Sequence, residues 1–124
     1  MSVSDIAGVR VYEVSPDGPL LESTRDATDL IGDAFSHDVR VIAIPASRFT
    51  DNFFTLRTRL LGEFVQKIVN YRYRLAILGD MSDRVAQSDA LRDFVRESNR
   101  GTNVWFLEDR AALEAKLTSE TTRA

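Results

Sequence analysis

An arginine inside an apolar stripe is the residue of this chain whose position most demands a chemical explanation. At about 100° per residue, the stretch from Thr50 to Asn70 puts Phe53, Phe54, Leu60, Leu61, Phe64, Val65, Ile68 and Val69 on one half of a helix. Arg57 falls inside that arc. A guanidinium buried there must meet an acceptor, because an unpaired buried charge costs several kcal/mol. Asp80, closing the next apolar run, is the nearest acceptor by chain order. The pair reads either as a structural contact, with the side chain snorkelling toward the rim, or as an arginine that holds an anion.

The other polar residues fall into two groups, one at each end of the elements set out below. Arg48, Thr50, Asp51, Asn52, Asp80 and Ser82 follow apolar runs, where strand ends and helix starts offer free N–H groups. Asn70, Tyr71 and Arg72 close one helix, and Glu97, Asn99 and Arg100 close another; these six read as mutual caps tying two helix ends together. Asp51, Asp80, Asp83, Glu108 and Asp109 supply the oxygen ligands a hard cation takes. No EF-hand loop is present, and Asp109 already has a role as a helix cap, so no metal site is expected. His37 is the lone histidine and falls in a loop, without a Ser-His-Asp set or an HExxH motif. Neither GxGxxG nor a P-loop occurs, and no cofactor is expected.

The elements that must carry these residues can be read from periodicity. Residues 1–7 read as a loose lead-in. Val9 and Val11 alternate with Arg10 and Tyr12 in a half-buried strand over residues 8–14. Ser15-Pro16-Asp17-Gly18 is turn chemistry, so Pro19 to Leu21 is expected to pair back as a hairpin. Ser23 with Asp26 three residues later marks a helix start, and Ala27, Leu30, Ile31, Ala34 and Phe35 give that helix a buried face. Val39 to Ile44 is a β-branched run suited to a covered strand.

The helix carrying Arg57 is expected to start at Ser47 or Thr50 and to run about 30 Å to Asn70. Arg59, Glu63 and Lys67 form a solvated ladder on its outer face, and Gly62 beside the apolar arc implies a close backbone contact. Arg74 to Leu78 is the next strand. Met81 to Gln87 reads as a polar connection, Ser88 as the cap of a third helix ending at Asn99 to Gly101, and Thr102 to Leu107 as the last strand, with Trp105 as packing. Asp109 caps a final helix through Leu117, and the tail to Ala124 is expected to fray. The order β-β-α-β-α-β-α-β-α predicts a single α/β domain: a mixed, mostly parallel sheet of about five strands with four helices.

Composition excludes several function classes. There are no cysteines among the 124 residues, so disulfides, thiolate metal sites and cysteine nucleophiles are out. A formal net charge of −3 gives no general attraction to nucleic acid, and no basic-aromatic interleaving suggests RNA binding. No apolar run approaches the roughly 18 residues of a membrane span. MSVSDIAG lacks a signal-peptide layout, so a cytoplasmic location is expected.

The strings FFTLRTRLLGEFVQKIVNYRYRLAILGD, LRDFVRESNRG and VWFLEDRAALEAKL closely resemble a small bacterial family, domain of unknown function 4180. The resemblance covers nearly the whole chain and implies a fold but no reaction. More remotely, the element order is similar to that of STAS domains, where the loop before the second helix carries a phosphorylatable serine. Here Thr50-Asp51-Asn52 occupies that loop and no serine stands at the critical place.

The expected function is therefore a non-enzymatic, STAS-like binding or regulatory module that presents the loop and start of the second helix to a protein partner. The alternative is a small anionic ligand, bound or turned over on the same rim by Arg57 and Asp80. A long helix projecting past its strands would also support self-association.

Overall fold

A computed structural model describes residues 2–123, with side chains for residues 2–120. Five strands form one sheet in the order β1-β2-β3-β4-β5: β1 (Ser2–Ile6), β2 (Val9–Glu13), β3 (Val41–Pro45), β4 (Arg74–Leu78) and β5 (Val104–Leu107). β1 runs antiparallel to β2, and every later pairing is parallel. The mixed, mostly parallel α/β architecture expected from the sequence is thus the one observed.

Consecutive parallel neighbours need crossovers of one hand, which puts the connecting helices on one face of the sheet. These are α1 (Thr24–Phe35), α2 (Leu60–Asn70) and α4 (Asp89–Arg100), with the short α3 (Ser82–Gln87) preceding α4. Beneath them lies the larger core, including Tyr12, Ile42, Ile44, Phe64, Ile77 and Phe106. α5 (Arg110–Arg123) covers the opposite face over Val11, Val41, Ala43, Ala76 and Trp105, burying Leu113 and Leu117. The alanines in β3 and β4 leave room for α5 to lie close. Two contacts tie it to the sheet: Arg110 Nε donates to Glu13 Oε1 of β2 at 2.8 Å, and Lys116 sits 5.5 Å from the centre of the Trp105 ring, against which Arg74 of β4 also lies at 5.6 Å.

The N-terminus departs from the sequence reading. Residues 2–6 are a strand, not a lead-in, and Pro19 to Leu21 is not one. The reason is turn chemistry: Ala7 (φ 52°) and Gly8 (φ 81°) form a two-residue turn with both dihedrals positive, the form that matches strand twist. The Pro-Asp-Gly segment instead enters a long loop, and Leu21 makes only an isolated parallel bridge to Phe49. At the other end α5 continues through Arg123, beyond the expected end near Leu117; Ala124 lies outside the described residues. Among those residues no helix is long and apolar enough to cross a membrane.

The largest difference lies in the stretch from Thr50 to Asn70. The expected single helix is three 3-10 turns, Ala46–Arg48, Asp51–Phe54 and Leu56–Thr58, followed by α2 from Leu60. Arg59 breaks the path with φ 66°, in the left-handed region. Thr58 fixes the break: its Oγ1 donates toward the carbonyls of Asn52 and Thr55, both at 2.8 Å, and accepts the Leu60 N–H at 3.3 Å. The aromatic residues give the reason. Phe49, Phe53 and Phe64 meet edge to face at 5.1 to 5.5 Å, with Phe54 against Phe49 at 5.7 Å. Phe49 and Phe64 are fifteen residues apart, about 22 Å along a straight helix, so their contact at 5.3 Å requires a chain that folds back on itself. At 11 residues α2 spans about 16 Å, roughly half the length expected from the sequence.

Candidate functional site

The broken segment changes what Arg57 is. It lies in the 3-10 turn Leu56–Thr58, exposed, and its guanidinium has no acidic partner among the described residues. The expectation of a buried guanidinium paired with Asp80 is therefore incorrect, because the residue that the helical angle turned inward has been turned outward by the break at Arg59. Arg57 and Asp80 nevertheless line the same open cleft, of about 810 Å³.

One wall of the cleft is the loop with Asp51, Leu56 and Arg57, and the other is built from Asp80, Asp83 and Arg84 at the start of α3 and from the beginning of α4. The floor follows from β4. Gly79, at φ 154°, ends that strand with its N–H bonded to the Leu107 carbonyl at 2.9 Å. A Cβ there would stand 2.9 Å from Ala46 Cβ, so glycine lets the two strand exits approach.

Asp80 follows immediately. Its Oδ1 accepts from Ser82 Oγ at 2.6 Å and Ser82 N at 2.9 Å. The hydroxyl bond first, and the backbone bond second, hold its carboxyl below the ordinary carboxylate range.

Arg84 bridges the walls. It donates to Asp51 Oδ1 at 2.9 Å and lies 4.5 Å from the centre of the Phe54 ring, a buried platform that orients it. Phe54 and Phe53 are both buried, so neither presents an aromatic surface at the rim. Among the described residues the side chains of Asp83 and Arg57 have no hydrogen-bond or ion-pair partner, and Asp80 has no cationic one. Among the described residues no three His, Cys, Asp or Glu side chains come together in a way that could hold a metal ion.

Other residues named from the sequence have different places. Arg48 is not in the cleft: its Nε donates to the Pro19 carbonyl at 3.0 Å, and Nη1 to those of Ser15 and Asp17 at 2.7 and 3.3 Å. It pins the long loop after β2. Thr50 is half-buried and supplies a carbonyl to Phe53 N rather than a side-chain cap. Asn52 contributes its carbonyl to Thr58.

The six residues expected to clasp two helix ends do not bond across. Asn70 accepts from Gln66, Arg100 pairs with Glu97 at 3.4 Å, Tyr71 is exposed, and Arg72 turns the chain at φ 69°. Asn99 makes a two-pronged tie, to β5 rather than to the other helix.

Sequence reasoning missed Arg84, Leu56 and the whole of α3. Six residues are too few for helical periodicity to show, and the available signal was Asp80-x-Ser82, a short-range cap that places a helix start.

The architecture now permits comparison with known proteins. The family description "Domain of unknown function (DUF4180)" matches residues 6–117. The chain belongs to this family. The match takes in β2 to β5, the last residue of β1, the cleft and most of α5. No curated protein and no solved structure matches the chain.

Proposed function

We propose that this DUF4180 protein is a binding module, STAS-like in role, that takes a segment of a protein partner into the cleft between the Asp51–Thr58 loop and α3. The observation that carries the reading is Arg57: exposed, without an acidic partner, and held by a 3-10 turn over a concave surface whose far wall bears Asp80 and Asp83. A partner segment meets both walls, with a carboxylate toward Arg57 and N–H donors toward the aspartates. The openness of the cleft favours a chain that lies through it, and the burial of Phe53 and Phe54 argues against a flat aromatic docking face.

A binding role fits the place of Asp80, whose Oδ1 already accepts two hydrogen bonds from Ser82. A cytoplasmic setting belongs to the same proposal. The second reading, a small anionic ligand on Arg57, is favoured by the same unpaired guanidinium.

Native mass spectrometry of the protein drawn from its own cell extract tests both. A stoichiometric second protein is expected with the natural sequence and with the α1 surface control Arg25→Ala, and is expected to be lost in Arg57→Ala. Retention of that protein by Arg57→Ala would sink the cleft reading. A retained small molecule in place of a protein would replace the first reading with the second.

A further inference from the structure

Gly62 stands within α2, where glycine costs up to about 1 kcal/mol relative to alanine. The close backbone contact that would explain it is absent, since a Cβ at this position would meet nothing within 4 Å. What adjoins it is a hollow of about 270 Å³ lined by Leu56, Arg59, Gly62, Glu63 and Phe94. Leu56 lines this hollow and the cleft alike, so the two are neighbours across one side chain. Phe94 forms a fixed wall, set edge to face on Phe106 at 6.1 Å.

Gly32 in α1 is equally uncrowded, so an open Cβ position by itself marks no site. What matters at position 62 is the hollow, which the missing side chain keeps open.

We propose that the hollow is a second subsite of the cleft, and that the two together take one acidic protein segment, whose apolar side chain enters the hollow while an adjacent carboxylate meets Arg57. This rests on the binding role of the cleft proposed above. Charge selects the occupant. Arg57 and Arg59 follow Leu56 one and three residues on, Arg57 lining the cleft and Arg59 the hollow, and neither guanidinium has an acidic partner among the described residues. The carboxylates of Asp80 and Asp83 lie on the far wall, where backbone N–H groups of an extended segment can meet them; Glu63 borders the hollow and faces the same kind of donor. An apolar group beside an acid on a peptide backbone satisfies the hollow, the arginines and the carboxylates at once.

The test is a two-dimensional amide NMR titration of the full chain with acetyl-Glu-Glu-Leu-Glu-Glu-amide, with the same peptide carrying Gly at its centre, and with hexanoate. The leucine peptide is expected to shift the resonances of Arg57, Arg59, Gly62 and Phe94, and to bind about tenfold more tightly than the glycine peptide, as burial of one apolar side chain allows. Gly62→Leu fills the hollow and is expected to erase that difference while leaving the glycine peptide's affinity unchanged. Gly62→Ala, which fills it only in part, is expected to reduce the difference and serves as the check if the larger side chain disturbs the fold.

Equal affinities for the two peptides, with shifts at Arg57 and Arg84, would overturn the hollow subsite and leave the cleft reading standing. Peptides that leave Arg57 unmoved would remove both. Hexanoate shifting the same resonances at lower concentration than the leucine peptide would overturn the protein segment as the occupant.

Discussion

Asn99 grips Phe106 with both ends of its side-chain amide. Nδ2 donates to the Phe106 carbonyl at 3.2 Å, and Oδ1 accepts the Phe106 N–H at 2.7 Å. β5 is the last strand of the sheet, and Phe106 turns its backbone groups away from β4. The Asn99 amide thus stands where a sixth strand would pair, closing this edge from the end of α4.

Asn99→Ala should therefore destabilise the protein by about 1 to 3 kcal/mol, since it strands a donor and an acceptor that are partly buried. Urea denaturation followed by the fluorescence of Trp105 measures the loss. Sedimentation should also show concentration-dependent self-association, because the substitution reopens an unpaired edge. A variant as stable and as monodisperse as the parent would contradict the edge-closing role.

Gly79→Ala should cost about 1 to 3 kcal/mol from backbone strain alone, with a further penalty from the 2.9 Å approach to Ala46 Cβ. Ala46→Gly in the same chain removes the contact but not the strain at φ 154°, so the double variant should recover only part of the loss. Full recovery would show that crowding, not dihedral angle, dictates glycine here.

The parallel strands were legible because their signals are local, whereas β1 was not. VRVIAIP and RLAIL are apolar runs of strand length, and β4 was read to its observed bounds. The caps at Ser88 and Asp109 were equally readable: each side-chain oxygen accepts the N–H three residues on, Leu91 at 3.1 Å and Ala112 at 2.9 Å. The segment 50–59 was not, because helical periodicity and a cluster of buried phenylalanines leave the same pattern, and only the tertiary contacts of Phe49 decide between them. Arg57 shows the consequence. Its angle on an ideal helix pointed to the core, whereas three-dimensional packing put it on the cleft.

Gly62→Ala should stabilise the protein by up to about 1 kcal/mol, because helix propensity improves and the new methyl meets nothing. A rise in the denaturation midpoint with an unchanged slope is the expected result. A fall would mean that the helix surface at this position is less open than the geometry indicates.

Stability should fall as pH rises above 10. Burial, then the charge of Asp33 and the 3.3 Å hydrogen bond to it, push the Tyr12 hydroxyl up to about 12 from its ordinary 10.0. A phenol raised in the folded state contributes stability that is complete below the unfolded value and is lost as pH climbs through the folded one. Tyr12→Phe should flatten that alkaline slope between roughly pH 10 and 12; an unchanged slope would place its origin elsewhere.

Arg48 and Arg57 stood together in the sequence as rim arginines, and the structure assigns them opposite tasks. Arg48 donates to three carbonyls of the loop after β2, and a Cβ at Gly18 would come within 3.2 Å of its guanidinium, so the loop is closed tightly around it. Arg48→Ala removes hydrogen bonds to a charged donor and should cost about 1.5 to 3 kcal/mol. Arg57 is exposed and its guanidinium touches no acid among the described residues, so Arg57→Ala should change stability by no more than about 0.5 kcal/mol. Binding of acidic peptides should show the reverse pattern: kept by Arg48→Ala at a temperature where it is folded, and weakened at least severalfold by Arg57→Ala. Parallel urea melts and peptide titrations on the two variants read both quantities. An Arg57→Ala protein that melts early and binds normally would make this arginine a structural residue after all, and the cleft would lose the cation on which its proposed function depends.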